Sequence, residues 1–146
     1  MANSGFPTRP ISVCWEGNCD LEFRGSAFEL LIDILQNCFR NANEYSGFVD
    51  RPPDVTVSAN CDDFDVHIEV RNTLAKDIDI AELRSKIAER VQAASSGALP
   101  EIGRGRGVRE IMLAVSQGGG KNTAVAFDVS DNSCFTVDFS IRYSEG

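Results

Sequence analysis

Leu35-Gln-Asn-Cys-Phe-Arg-Asn-Ala-Asn-Glu-Tyr-Ser46 is the stretch that decides the fold. It is the second half of a longer segment, Ala27 to Tyr45, in which Phe28, Leu31, Ile32, Leu35, Phe39 and Ala42 recur at three- and four-residue spacing. That is the period of a helix with one apolar face. Ser26 stands where an N-cap is needed, with a hydroxyl able to accept a backbone N–H of the first turn. On this helix Asp33, Asn37 and Asn41 follow at four-residue steps, so they share one stripe. Asparagine competes with the helix for backbone hydrogen bonds, so Asn37, Asn41 and Asn43 in one helix call for an explanation. One is a solvated face; the other is a set of amide oxygens kept for a ligand.

Outward from this helix the chain alternates strands and helices. Met1 to Pro10 reads as a leader, Ile11 to Trp15 as a strand turned at Gly17-Asn18, and Leu21 to Phe23 as a second short strand. Beyond Pro52-Pro53, Val55 to Val57 and Val66 to Val70 alternate apolar with polar residues around a turn at Asn60–Asp63 and predict a half-buried hairpin. A helix from Ile80 to about Ala94 follows, then a flexible stretch Ser95–Gly107, then a helix Val108–Gln117 stopped by Gly118-Gly119-Gly120. The last pair, Thr123–Val129 and Cys134–Tyr143, predicts a hairpin turned at Asp131-Asn132. This order implies one α/β (α+β) domain over residues 11–146, a two-layer sandwich whose mixed, mostly antiparallel sheet is covered on one face by about three helices.

The 146 residues fit a single core. A formal charge of −8 argues against a general nucleic-acid binder, which must neutralise phosphates. No apolar run approaches the ~20 residues of a membrane span, and the N-terminus lacks the basic and apolar regions of a signal peptide, so the expected address is the cytoplasm. The five cysteines are odd in number and include no Cys-x-x-Cys, which predicts free buried thiols. His67, the only histidine, falls mid-strand and is read as structural; Glu82 to Arg90 carries mixed charges at helical spacing and is read most simply as a solvated face, with packing on or beside the Ser95–Gly107 stretch as the alternative.

Gly103-Arg-Gly-Arg-Gly107 opens the last helix. Alternating glycines let backbone N–H groups approach phosphate oxygens, the helix N-terminus adds a partial positive charge, and Arg104, Arg106 and Arg109 add counter-charge. A plain connecting loop has the same composition. A dinucleotide-binding motif is excluded because no strand runs directly into the glycines.

Taken in order, these segments resemble the GHKL superfamily, the ATP-binding fold of histidine kinases and gyrase. Leu35 to Ser46 is similar to the histidine-kinase N-box, Leu-x-Asn-Leu-x-x-Asn-Ala-x-Lys-Tyr, and Gly103 to Val108 to the second glycine box, which touches the phosphates and hinges a mobile lid, here Ser95–Gly107. The resemblance implies ATP and Mg as cofactors. Asn41 would hold the Mg²⁺, Asn37 would assist on the same face, and Tyr45 would lie beside the sugar or base. Gly103, Arg104, Gly105, Arg106 and Gly107 would contact the phosphates. Three departures stand out. The family lysine is Glu44; the Gly-Thr pair of the last strand is Asn132-Ser133; and the Asp-x-Gly-x-Gly that receives the adenine amino group is Asn72-Thr-Leu-Ala-Lys76, leaving Asn72 as the acceptor.

Two readings follow. In the first the chain is an ATP/Mg-binding GHKL module, serving a protein kinase or regulatory kinase with a protein partner or phosphoacceptor outside the chain. In the second it is a degenerate GHKL fold kept as an interaction or dimerisation module. Hydrolytic branches of the superfamily carry a glutamate one turn before the metal-binding asparagine. Asn37 stands there instead and has no useful basicity, so no catalytic residue is assigned and efficient ATP hydrolysis is not expected.

Overall fold

Alternation along one strand sets the two faces of the sheet. In β5 (Cys134–Arg142), Phe135, Val137, Phe139 and Ile141 are buried, while Thr136, Asp138 and Ser140 between them are half-buried. Antiparallel register places β3 (Asp65–Thr73) alongside, so that Val66, Ile68, Val70 and Asn72 lie opposite Ile141, Phe139, Val137 and Phe135 and continue the dry face. Val57 and Val55 of β2 (Asp54–Cys61) extend it again, opposite Val70 and Asn72. The computed structural model describes residues 12–17, 26–61, 64–95, 106–118 and 124–142. Within them the strand order is β1-β2-β3-β5-β4, with β1 (Ser12–Gly17) parallel to β2 and β4 (Ala126–Ser130) antiparallel to β5. The mixed, mostly antiparallel sheet read from the sequence is the one observed.

Helices close the dry face. From α1 (Ser26–Tyr45) come Leu31, Ile34, Leu35, Cys38, Ala42 and Tyr45; α3 (Arg106–Gln117) adds Val108, Ile111 and Val115. The middle helix, α2 (Ile80–Ser95), contributes Leu83 and Ile87. Asp79 caps α2, its carboxylate accepting the Glu82 N–H at 3.1 Å. No helix among the described residues is long and apolar enough to cross a membrane.

Several boundaries move. α3 begins at Arg106 rather than Val108, because the glycine-flanked Arg106 and Gly107 take up helical geometry as its first turn. β4 begins at Ala126 rather than Thr123, where pairing with β5 starts at Asp138. The leader 1–10, the short strand expected at Leu21–Phe23 and loop residues 96–105 lie outside the described residues. Free thiols were expected throughout; Cys61 is instead disulfide-bonded, since spacing along the chain does not report which cysteines meet in space. Cys38 and Cys134 are free. Complete burial pushes the Cys38 thiol pKa far up, so it stays protonated and inert.

Two left-handed positions shape the loops. Gly47, at φ 78°, ends α1 and turns the chain so that Ser46 O accepts the Ala75 N–H at 2.7 Å, tying the exit of β3 to the end of α1. A Cβ at Gly47 would stand 2.5 Å from Ile78 Cδ1. Ser133, at φ 61°, closes the three-residue β4–β5 turn, with its N–H on Ser130 O at 3.1 Å. The two positions predict opposite shifts in urea unfolding. Gly47→Ala should lose about 1–3 kcal/mol from backbone strain and overlap with Ile78, and Ser133→Gly should gain up to about 1 kcal/mol by relieving strain.

Candidate functional site

A four-residue step on an α-helix advances the side chain by roughly 40° beyond a full turn. The stripe Asp33, Asn37, Asn41 therefore winds from water into the core. Asp33 is exposed, Asn37 half-buried, and Asn41 only 1% exposed, flanked by Cys38, Ala42 and Tyr45. A solvated face does not describe Asn41. Its Nδ2 is buried with no hydrogen-bond partner among the described residues, a state that costs about 1–3 kcal/mol per group and needs a compensating role. Asn37 donates Nδ2 to Asp33 O at 3.0 Å, and its own Oδ1 is buried with no partner among the described residues.

Asn41 faces the start of α3. A Cβ on Gly107 would overlap Asn41 Oδ1 outright and lie 3.3 Å from its Cγ, so only glycine permits this approach. The first N–H groups of α3 have no intrahelical acceptor and carry partial positive charge. The structure thus joins Asn41 to Gly107 at a helix N-terminus, with Arg109 in the same first turn. Gly103, Arg104 and Gly105 lie outside the described residues, and Arg106 is the first residue of α3. Outward, Asn37 lines a groove of about 400 Å³ between α1 and α3, shared with Asp33, Arg40, Glu110 and Gln117.

Tyr45 and Asn72 form a second level. Tyr45 is 5% exposed, its ring packed edge-on against Phe135 with centroids 5.9 Å apart, and its hydroxyl is bonded to Arg90 Nη1. Burial and the neighbouring Glu44 carboxylate raise the Tyr45 pKa, against the opposing pull of Arg90, so the phenol keeps its proton. Phe135 in turn faces Asn72 across the β3–β5 ladder. Asn72 is 3% exposed and donates Nδ2 to Thr73 O at 2.9 Å. Asn41, Tyr45, Phe135 and Asn72 therefore follow one another from the α3 N-terminus down to the sheet.

Arg90 was missed from the sequence. The segment Glu82–Arg90 was read as a solvated face, yet two of its arginines make tertiary contacts. Arg84 donates to Val129 O and Asp131, both at 2.7 Å, and Arg90 pairs with Glu44 at 3.4 Å with its guanidinium 5.3 Å from the Tyr45 ring. The available signal was Glu44 itself, an acidic side chain at the negative end of the α1 dipole, which calls for a cation from elsewhere. His67 is structural as expected, bridging Ser140 Oγ at 3.0 Å and Asp138 at 2.6 Å on the open face of the sheet. Among the described residues no group of three His, Cys, Asp or Glu side chains could hold a metal ion.

The contact between Asn41 and Gly107 gives a double-mutant prediction. Gly107→Ala should gain up to about 1 kcal/mol of helix propensity but lose more to the displaced Asn41, for a net fall in thermal stability. In an Asn41→Ala background the overlap is gone, and the same substitution should become stabilising. Equal effects in both backgrounds would mean that the two residues do not touch.

No protein-family model matches the chain, and no curated protein matches it in sequence. Among solved structures it is similar to the catalytic domain of histidine kinase ThkA in a nucleotide-free form, at 21% identity and a TM-score of 0.59, over 91% of this chain and 78% of that one. A histidine kinase from Burkholderia phymatum STM815 matches at 15% identity and a TM-score of 0.56, over 93% of this chain and 60% of that one. A bacterial phosphotransferase matches at 15% identity and a TM-score of 0.53, over 88% and 54%. The chain shares the fold of these histidine-kinase catalytic domains.

Proposed function

We propose that this domain binds ATP with Mg²⁺ and does not hydrolyse it alone. The observation that carries the reading is the buried side chain of Asn41, its Nδ2 without a partner among the described residues and its Oδ1 held against Gly107 at the N-terminus of α3. A polar side chain kept dry at such cost, facing N–H groups with free valence, suits an anionic ligand that brings its own cation. Mg²⁺ takes oxygen ligands and is commonly held by one or two protein side chains plus phosphates, so Asn41 Oδ1 would suffice as its protein ligand. When bound, the ion would neutralise charge on the phosphates.

Other roles follow from the same geometry. The N–H groups of α3 would hold phosphate oxygens, joined by Gly103, Arg104, Gly105, Arg106 and Gly107 as the resemblance implies. Asn72 spends its Nδ2 on Thr73 O and keeps its amide oxygen to accept from the amino group of the base. Tyr45 would shape the pocket wall from its seat on Phe135. Asn37, half-buried and an amide, supplies no general base for an attacking water, whose loss typically costs about 10²–10⁴ in rate. His67, the chain's one histidine, lies mid-strand in β3 rather than on a helix, and in this reading phosphoryl transfer goes to a protein partner outside the chain.

A second reading, a scaffold that has lost its nucleotide, is favoured by the Tyr45 hydroxyl being taken up by Arg90. Calorimetric titration with ATP and a non-hydrolysable analogue, with and without Mg²⁺, separates the two. The expected result is Mg-dependent binding that Asn41→Ala weakens about tenfold or more without unfolding the domain. Phosphate release should stay below about one per minute. Absence of binding by the parent protein establishes the scaffold reading.

A further inference from the structure

The last turn of α1 carries no basic residue, and Glu44 sits there at the negative end of the helix dipole. The only cation that reaches it among the described residues is Arg90, from α2. Arg90 is 17% exposed and Glu44 27%, and their contact is a single-ended 3.4 Å approach through Nη1 rather than a two-point fork. The same Nη1 also serves the Tyr45 hydroxyl. Nε and Nη2 make no hydrogen bond among the described residues, so most of the donors of a planar fork made for carboxylates and phosphates are unspent. Tyr45 is one helical turn, about 6 Å, beyond Asn41, so Arg90 holds the residue one turn along α1 from the one that meets the α3 N-terminus.

We propose that Arg90 is a phosphate-binding residue of this site, with Glu44 as its resting counter-ion, a proposal that rests on the Mg-ATP reading above. In the free protein Glu44 holds the guanidinium beside Tyr45 and offsets its charge. An incoming polyphosphate carries more negative charge than one carboxylate and offers oxygens for a two-point contact, so it draws Nε and Nη2 away from water and competes with Glu44 for Nη1. The exchange also links α2 to the ligand, because Arg90 is the residue by which α2 reaches the end of α1. Glu44 thereby sets the affinity: it keeps Arg90 in place but must be outbid for it.

Arg90→Gln and Glu44→Gln both break the same ion pair, and the proposal gives them opposite effects. Calorimetric titration of the full chain with Mg-ATP should show about a tenfold or greater loss of affinity for Arg90→Gln, the usual weight of a hydrogen bond to a charged group, and a gain of several-fold for Glu44→Gln. Adenosine, which lacks phosphates, should bind both variants as it binds the parent. Were the pair only a structural tie, both substitutions would move Mg-ATP affinity in the same direction or leave it unchanged, which overturns the proposal while nucleotide binding stands. A parent protein that does not bind Mg-ATP overturns the nucleotide reading, and this proposal with it. If Arg90→Gln does not fold, Glu44→Gln alone decides: tighter binding supports the exchange, and equal or weaker binding refutes it.

Discussion

One dry interface, between the inward residues of β5 and the apolar stripe of α1, is the constraint on which the rest of the domain depends. Phe135, Val137, Phe139 and Ile141 cannot be solvated without exposing the centre of the sheet, and Ile34, Leu35, Cys38 and Ala42 cover them. Each buried side chain of this size contributes about 1.5–3 kcal/mol, so the orientation of α1 is fixed to within a side chain's width. Asn41 lies inside that fixed stripe. Its amide is held where it is by the packing of its neighbours, which is how a polar group can be kept without a partner.

Holding it has an energetic consequence for the molecule. An aliphatic residue at position 41 would remove the unsatisfied donor and fill the same space, so the free protein is less stable than its fold allows. Gly107 adds to this, since glycine is the poorest helix former after proline and stands in the first turn of α3. Two local rules are broken at one contact point. Such coincidences are expected where a fold serves a ligand rather than its own stability.

Much of this was legible in the sequence, and the reasons differ by element. The period of α1 and the alternation in Val66–Val70 report burial directly, because both follow from which side of an element faces the core. Asn41 and Gly107 stood out as candidates through the spacing of their motifs. The pairing of Asn41 with Gly107 was not, for contact between residues 66 positions apart depends on how α1 and α3 pack. Arg90 and Arg84 were lost for the same reason, since mixed charges at helical spacing look alike whether they face water or reach a neighbouring helix. Cys61 failed because disulfide pairing depends on which cysteines meet in space, and the start of α3 failed because glycine signals looseness even where it is helical.

The way α2 is attached divides the domain into two mechanical parts. Leu83 and Ile87 of this helix are buried and Ile80 and Val91 partly so, and polar ties add to them from Arg84 on Val129 O and Asp131 and from Arg90 on Glu44 and Tyr45. Contacts of that kind weaken as mobile ions shorten the reach of charge, to about 8 Å at physiological ionic strength and about 3 Å at molar salt, whereas burial of β5 under α1 does not. Raising salt therefore acts on α2 selectively. The helix can loosen from the sheet while the β5–α1 core stays closed, so amide exchange in β5 and amide exchange in α2 are separate observables, governed by different properties of the solvent.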